Sequence, residues 1–104
     1  MISAAESIVG YVARGRPAFD DDAAIREAII YQIVVLGEAA KAVVAADPSI
    51  ETDLPDVQWS PLAKMRDKIA HHYWAIDREI VWDTATRDAP AILALLRAAL
   101  AKLG

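Results

Sequence analysis

The stretch DAAIREAIIYQIVVLGEAAKAVVAA, residues 22–46, decides the fold. Ile25, Ile29, Gln32, Leu36, Ala40 and Val43 recur at the three- and four-residue intervals of one helix face. Ile30, Ile33, Val34 and Val44 line adjoining faces. The spacing predicts one long helix from Asp22 to Ala46, about 37 Å at 1.5 Å per residue. A helix apolar nearly all round needs cover on more than one side. The expected cover is the other helices of the chain and a second subunit. The run from Ala28 to Ala46 also invites a membrane reading. It contains Gln32, Glu38 and Lys41, so its uncharged length falls short of the ~20 residues a span needs. A buried or interface helix is the better expectation, with no membrane partner.

Outward from this helix, both flanks are helical. Upstream, Ile8, Tyr11 and Val12 form the stripe of a first helix from about Ser3 to Arg14, which Gly15-Arg16-Pro17 ends. Asp20-Asp21-Asp22 offers N-caps and carboxylates suited to the positive end of the long helix. Downstream, Asp47-Pro48 stops it, and residues 49–60 read as a loop. Trp59-Ser60-Pro61 reads as a helix start, with Ser60 as N-cap and Pro61 in the first position. That third helix runs to about His72. Asp77 is a plausible N-cap for a fourth, Arg78 to Asp88, which Asp88-Ala89-Pro90 breaks or kinks. A last helix carries Ile92, Leu93, Leu96 and Leu100 to about Lys102.

Composition agrees. The chain has 104 residues, enough for one domain over residues 1–104. Alanine, the strongest helix former, supplies 22 of them, and no strand-like alternation is present. The expected class is all-α, an up-and-down bundle of four to five helices. A hydrophobic share of 56% is high for so small a chain and points to apolar surface covered by another copy. Without cysteine there is no disulfide, thiolate zinc site or thiol nucleophile. The two histidines, adjacent at 71 and 72, make no metal site, and no cofactor is expected. The first residues show no secretory signal, so the cytoplasm is the expected location. A net charge of −4 argues against bulk electrostatic binding to nucleic acid.

Chemistry concentrates in Lys64-Met65-Arg66-Asp67-Lys68-Ile69-Ala70-His71-His72-Tyr73. Asp67 and His71 share a helix face at i, i+4, so the carboxylate could orient one imidazole nitrogen and leave the other for proton transfer. Arg66 and His71, five apart, lie about 140° apart on an ideal helix. They converge only if the helix end loosens or two subunits bring copies together. Arginine, histidine and tyrosine without a side-chain nucleophile suit RNA cleavage, where the 2′-hydroxyl attacks. A solvated helix face is the plainer alternative for the same residues. From Pro61 to Arg78 the cations Lys64, Arg66, Lys68 and Arg78 outnumber Asp67 and Asp77, a small positive site on an acidic chain. Trp59, Trp74 and Trp82 read as packing anchors, Glu38 and Lys41 as a pair along one helix (with a buried polar contact as the alternative for Glu38), and Arg14 and Arg16 as solvated residues within reach of RNA phosphates.

Arg66, His71 and Tyr73 together match R-x4-H-x-Y, and the chain resembles the HepT-like branch of the HEPN superfamily. Gly37-Glu38-Ala39-Ala40-Lys41 resembles that branch's GEAAK segment, and Trp59 followed by Met65 to His71 its W…MRNxxAH stretch. Asp77 and Trp82 fit the following D…W pattern. The match runs from about Ser3 to Leu100, with the first helix several residues short of the usual start. The resemblance implies a helical bundle that dimerises, placing two R-x4-H motifs at the interface of a metal-independent ribonuclease. It implies a toxin whose antitoxin, an MntA-type minimal nucleotidyltransferase, adds adenylate to the motif tyrosine. Carried over, Arg66 and His71 are catalytic, Asp67 and Tyr73 supporting, and Tyr73 the modified residue. His72 falls at the variable position. A rival from another class is a non-catalytic helical module serving a nucleotidyltransferase.

Overall fold

A computed structural model describes residues 1–103; Gly104 and the side chain of Trp74, one of the expected anchors, lie outside the described part. The helices are α1 (Ile2–Val12), α2 (Arg16–Asp21), α3 (Ala23–Ala46), α4 (Ile50–Asp53), α5 (Trp59–His72), α6 (Arg78–Asp83) and α7 (Ala89–Leu103). A 3₁₀ turn (Tyr73–Ala75) follows α5, and a π turn (Thr84–Asp88) joins α6 to α7. No strand occurs among the described residues, so the protein is all-α. The rods are α1, α3, α5 and the continuous α6–α7.

At 24 residues, α3 is about 36 Å long, close to the 41 Å longest dimension of the molecule. By length and composition it is apolar enough to cross a bilayer. Here it lies against α5, α1 and α2, burying Ile29, Ile30, Ile33, Leu36, Gly37 and Ala40. Asp22 caps it as expected, accepting from the Ala24 N–H at 2.9 Å, and Asp77 caps α6 through the Glu79 N–H at 2.8 Å. Trp59 is buried and donates to the Leu54 carbonyl, and Trp82 packs on Phe19 with ring centroids 5.1 Å apart. Both are packing anchors. On α7, Ile92 and Leu93 are buried, but Leu100 is exposed.

Five expectations about the fold need correction. The segment after Gly15 is a helix, α2, because Gly15 at φ 90° turns the chain sharply and Phe19 is driven into the core. Arg16 is not free for RNA. Its guanidinium pairs with Asp20 and Glu79 and lies 5.6 Å from the ring centroids of both Phe19 and Trp82. Bonding to Glu79, then Asp20, pushes its pKa further up. Residues 49–60 are not all loop, since α4 forms where Ile50 and Leu54 pack on the core. Nor is Ser60 the N-cap: α5 begins at Trp59, after Gln58, which places Pro61 within the first turn, where its missing N–H costs nothing.

The fifth is at Pro90, which does not break the helix. The Ala89 N–H reaches five residues back to the Thr84 carbonyl, and this wider turn accommodates the proline ring. Thr84 and Thr86 hydroxyls donate to the Ile80 and Trp82 carbonyls at 2.9 and 2.8 Å, a pattern that bends helices.

Gly10 gives a clean test of α1. It sits within the helix, and an added Cβ would meet nothing within 4 Å. Gly10→Ala should stabilise the protein by about 0.5–1 kcal/mol in urea unfolding, the helix-propensity difference between the two residues.

Candidate functional site

The candidate site is built on the seam between α3 and α5, the most extensive helix contact in the molecule. At Gly37 an added Cβ would stand 2.5 Å from the Arg66 Cβ and 2.7 Å from the Leu62 carbonyl oxygen. Only a residue without a side chain permits so close a crossing. The crossing sets the stem of Arg66 directly against the α3 backbone.

Glu38 and Lys41 flank this crossing, and each pairs across the seam rather than with the other. Arg66 Nε lies 2.6 Å from Glu38 Oε2, and Arg66 Nη1 donates to Asp67 Oδ1 at 3.1 Å. Lys41 Nζ donates to the same Asp67 oxygen at 3.1 Å. The expected pair along α3 is thus replaced by a four-residue network, because the face carrying Glu38 and Lys41 is the face that meets α5. The Nε–H of Arg66 is not aligned on the Glu38 oxygen, so this buried donor makes no hydrogen bond among the described residues. Nη2 makes none among the described residues. Arg66 is hydrogen-bonded through Nη1, and other donors of the fork remain for a ligand.

Asp67 does not orient His71 through its carboxylate. Side chains on a helix lean toward its N-terminus, so the carboxylate turns to Arg66 and Lys41. The imidazole of His71 leans back onto the Asp67 main-chain carbonyl, 2.7 Å from Nδ1. A carbonyl only accepts, so Nδ1 carries the proton, and in the neutral ring Nε2 holds an exposed lone pair. One residue therefore anchors both candidates, Arg66 by its side chain and His71 by its backbone. Hydrogen bonding to Lys41, then Arg66, holds the Asp67 carboxyl below its ordinary value of 3.8.

That shift sets a pH dependence. A depressed folded-state pKa contributes stability above the unfolded value and loses it as pH falls through the folded one. Asp67→Asn should be less stable than the parent at pH 7 by a small margin, since the pair is exposed and salt-screened. The margin should close below about pH 4, as measured by urea titration at both pH values.

α5 stays helical through His72, where φ −133° and ψ 35° break it, and Tyr73 opens the 3₁₀ turn. The loosening thus comes after His71, not before it. Tyr73 is 49% exposed and borders a cleft of about 240 Å³ with Arg26, Glu27 and Arg78. His72 lies by Lys68, Ile76 and Asp77 along another small hollow. A cavity of about 510 Å³ between the α4 region and the end of α7 contains none of the candidate residues. Among the described residues no group of three or more His, Cys, Asp or Glu is arranged to hold a metal ion. Sequence reasoning missed Glu38 as a partner of Arg66; its signal was the glycine beside it, at a crossing that one chain does not reveal.

A family model described as Ribonuclease HepT-like matches residues 1–99. Two Methanocaldococcus jannaschii proteins named as candidate RNases are similar to the chain. One is 35% identical over 72 residues, 69% of this chain and 57% of its own length. The other is 36% identical over 74 residues, 71% of this chain and 61% of its own. A Thermococcus cleftensis protein named as a probable ribonuclease HepT is 32% identical over 69 residues, 62% of this chain and 56% of its own. The chain thus spans about three fifths of the length of these relatives. No solved structure gives a significant match. With the family model running almost end to end over the same helices, the chain belongs to the ribonuclease HepT-like family.

Proposed function

We propose that this chain is a single-domain endoribonuclease of the cytoplasm, the toxin of a toxin–antitoxin pair, acting as a homodimer without a metal cofactor. The observation that carries the reading is the double use of Asp67, which contacts a partly free arginine through its side chain and a histidine of defined tautomer through its backbone. His71 Nε2 takes the proton of the RNA 2′-hydroxyl. The 2′-oxygen attacks the adjacent phosphorus, the bond from phosphorus to the 5′-oxygen breaks, and that oxygen leaves with a proton from a general acid. The products are a 2′,3′-cyclic phosphate and a 5′-hydroxyl end. Arg66 donates to the phosphate oxygens as charge grows there. Both carboxylates at the seam, Glu38 and Asp67, are engaged by cations, which suits a site that works through Arg66 rather than a bound metal. A second copy across the dimer supplies a second His71, since α5 does not loosen before that residue.

Purified protein should therefore cut RNA at an unchanged rate in excess chelator; a strict requirement for a divalent ion would reject the metal-free mechanism. For regulation, the half-exposed Tyr73 suits modification by an MntA-type nucleotidyltransferase antitoxin. Co-expression with that partner should add one adenylate at Tyr73, read by mass spectrometry, and silence cleavage. Adducts found only on other residues would reject that site.

A further inference from the structure

We infer that Glu38 is a positioning residue for Arg66, and that Gly37-Glu38 forms a cradle that aims the guanidinium at the scissile phosphate; this rests on the reading of Arg66 as the phosphate ligand. The two residues act on different parts of one side chain. Gly37 admits the Arg66 stem against the α3 backbone, where any Cβ would collide with it. Glu38 supplies the anionic group beside Nε, at 2.6 Å. Among the described residues Nε is otherwise buried without a hydrogen-bond partner, a costly state for a cationic donor. The terminal torsion of a glutamate is broad. A small rotation of the Glu38 carboxylate therefore completes the Nε–H bond without moving either helix.

The division of donors gives this arrangement its purpose. Glu38 neighbours Nε and Asp67 takes Nη1, so the two carboxylates stand at different donors and Nη2 has no protein partner among the described residues. The remaining donors include those of Nη2, and they stay in a fixed plane for bidentate contact with a phosphate. Asp67 cannot do this alone. It neighbours Arg66 on the same helix and shares its oxygen with Lys41, so it does not define the plane. The Glu38 side chain is itself 57% exposed, so its removal leaves the packing of the seam intact.

The test uses the full chain and an RNA substrate at saturating and subsaturating concentration. Glu38→Ala should lower kcat by about 10²-fold, the effect of a roughly 1 Å misplacement of a catalytic group. KM should stay level or fall, because an anion has left the phosphate site. Glu38→Gln, whose amide oxygen can accept from Nε after the same small rotation, should recover much of the rate. A Glu38→Ala protein with wild-type or raised kcat would overturn the assignment. A second readout is independent of cleavage. The Arg66 Nε–H should give a resolved, slowly exchanging NMR signal in the parent and in Glu38→Gln, and join the solvent-exposed arginines in Glu38→Ala. If the signal is unchanged in Glu38→Ala, the cradle is refuted. If the parent cuts no RNA but the signal behaves as stated, the cradle stands and the ribonuclease reading fails.

Discussion

Gly37→Ala should lower the melting temperature by roughly 5–15 °C, the largest loss of stability expected from one methyl group at a site residue. The new Cβ would stand 2.5 Å from the Arg66 Cβ and 2.7 Å from the Leu62 carbonyl oxygen. Neither is the free end of a flexible side chain, so the helices themselves must part. Overpacking of this kind costs about 1–3 kcal/mol. Alanine recovers less than about 1 kcal/mol through helix propensity. The net loss converts at about 4–8 °C per kcal/mol for a domain of this size. Gly10→Ala, at an open position of α1, moves the opposite way and separates steric collision from propensity. Thermal unfolding by circular dichroism measures both. A Gly37→Ala protein as stable as the parent would mean that α3 and α5 do not cross as closely as described. The same substitution should also depress cleavage, since the displaced stem carries Arg66.

The second large effect is on catalysis alone. His71→Ala should reduce RNA cleavage by about 10²–10⁴-fold, the usual worth of a positioned general acid–base. The fold should survive, because the His71 side chain is exposed and its bond runs to its own helix, at the Asp67 carbonyl. Urea unfolding should place the variant near the parent, while cleavage and growth inhibition are lost together. Cleavage at the parental rate would remove His71 from the mechanism.

The long helix, the caps at Asp22 and Asp77 and the packing roles of Trp59 and Trp82 were legible in the sequence, because each is written in local spacing or residue type. What was not legible came from contacts between distant segments. α2 exists because Phe19 is buried against Trp82, and Arg16 is held by Glu79, 63 residues away. The π turn before Pro90 depends on how one helix accommodates a proline, and composition cannot foresee that choice. At the site, the helix expected to run to about His72 does carry Arg66 and His71, and Tyr73 opens the turn that follows. The motif could not show that Asp67 serves His71 through its carbonyl, or that Glu38 leaves its own helix to meet Arg66. Those follow from side-chain direction and from the crossing at Gly37.

The central claim is that Arg66 and His71 cut RNA through its own 2′-hydroxyl. Its most direct test is one RNA made twice, once fully ribose and once with a single 2′-deoxy residue 5′ of the cleaved bond, incubated with the purified protein in chelator. The fully ribose strand should be cut to a 2′,3′-cyclic phosphate end, and the deoxy strand should stay intact at that bond. Cutting of the deoxy bond at the ribose rate would contradict the account.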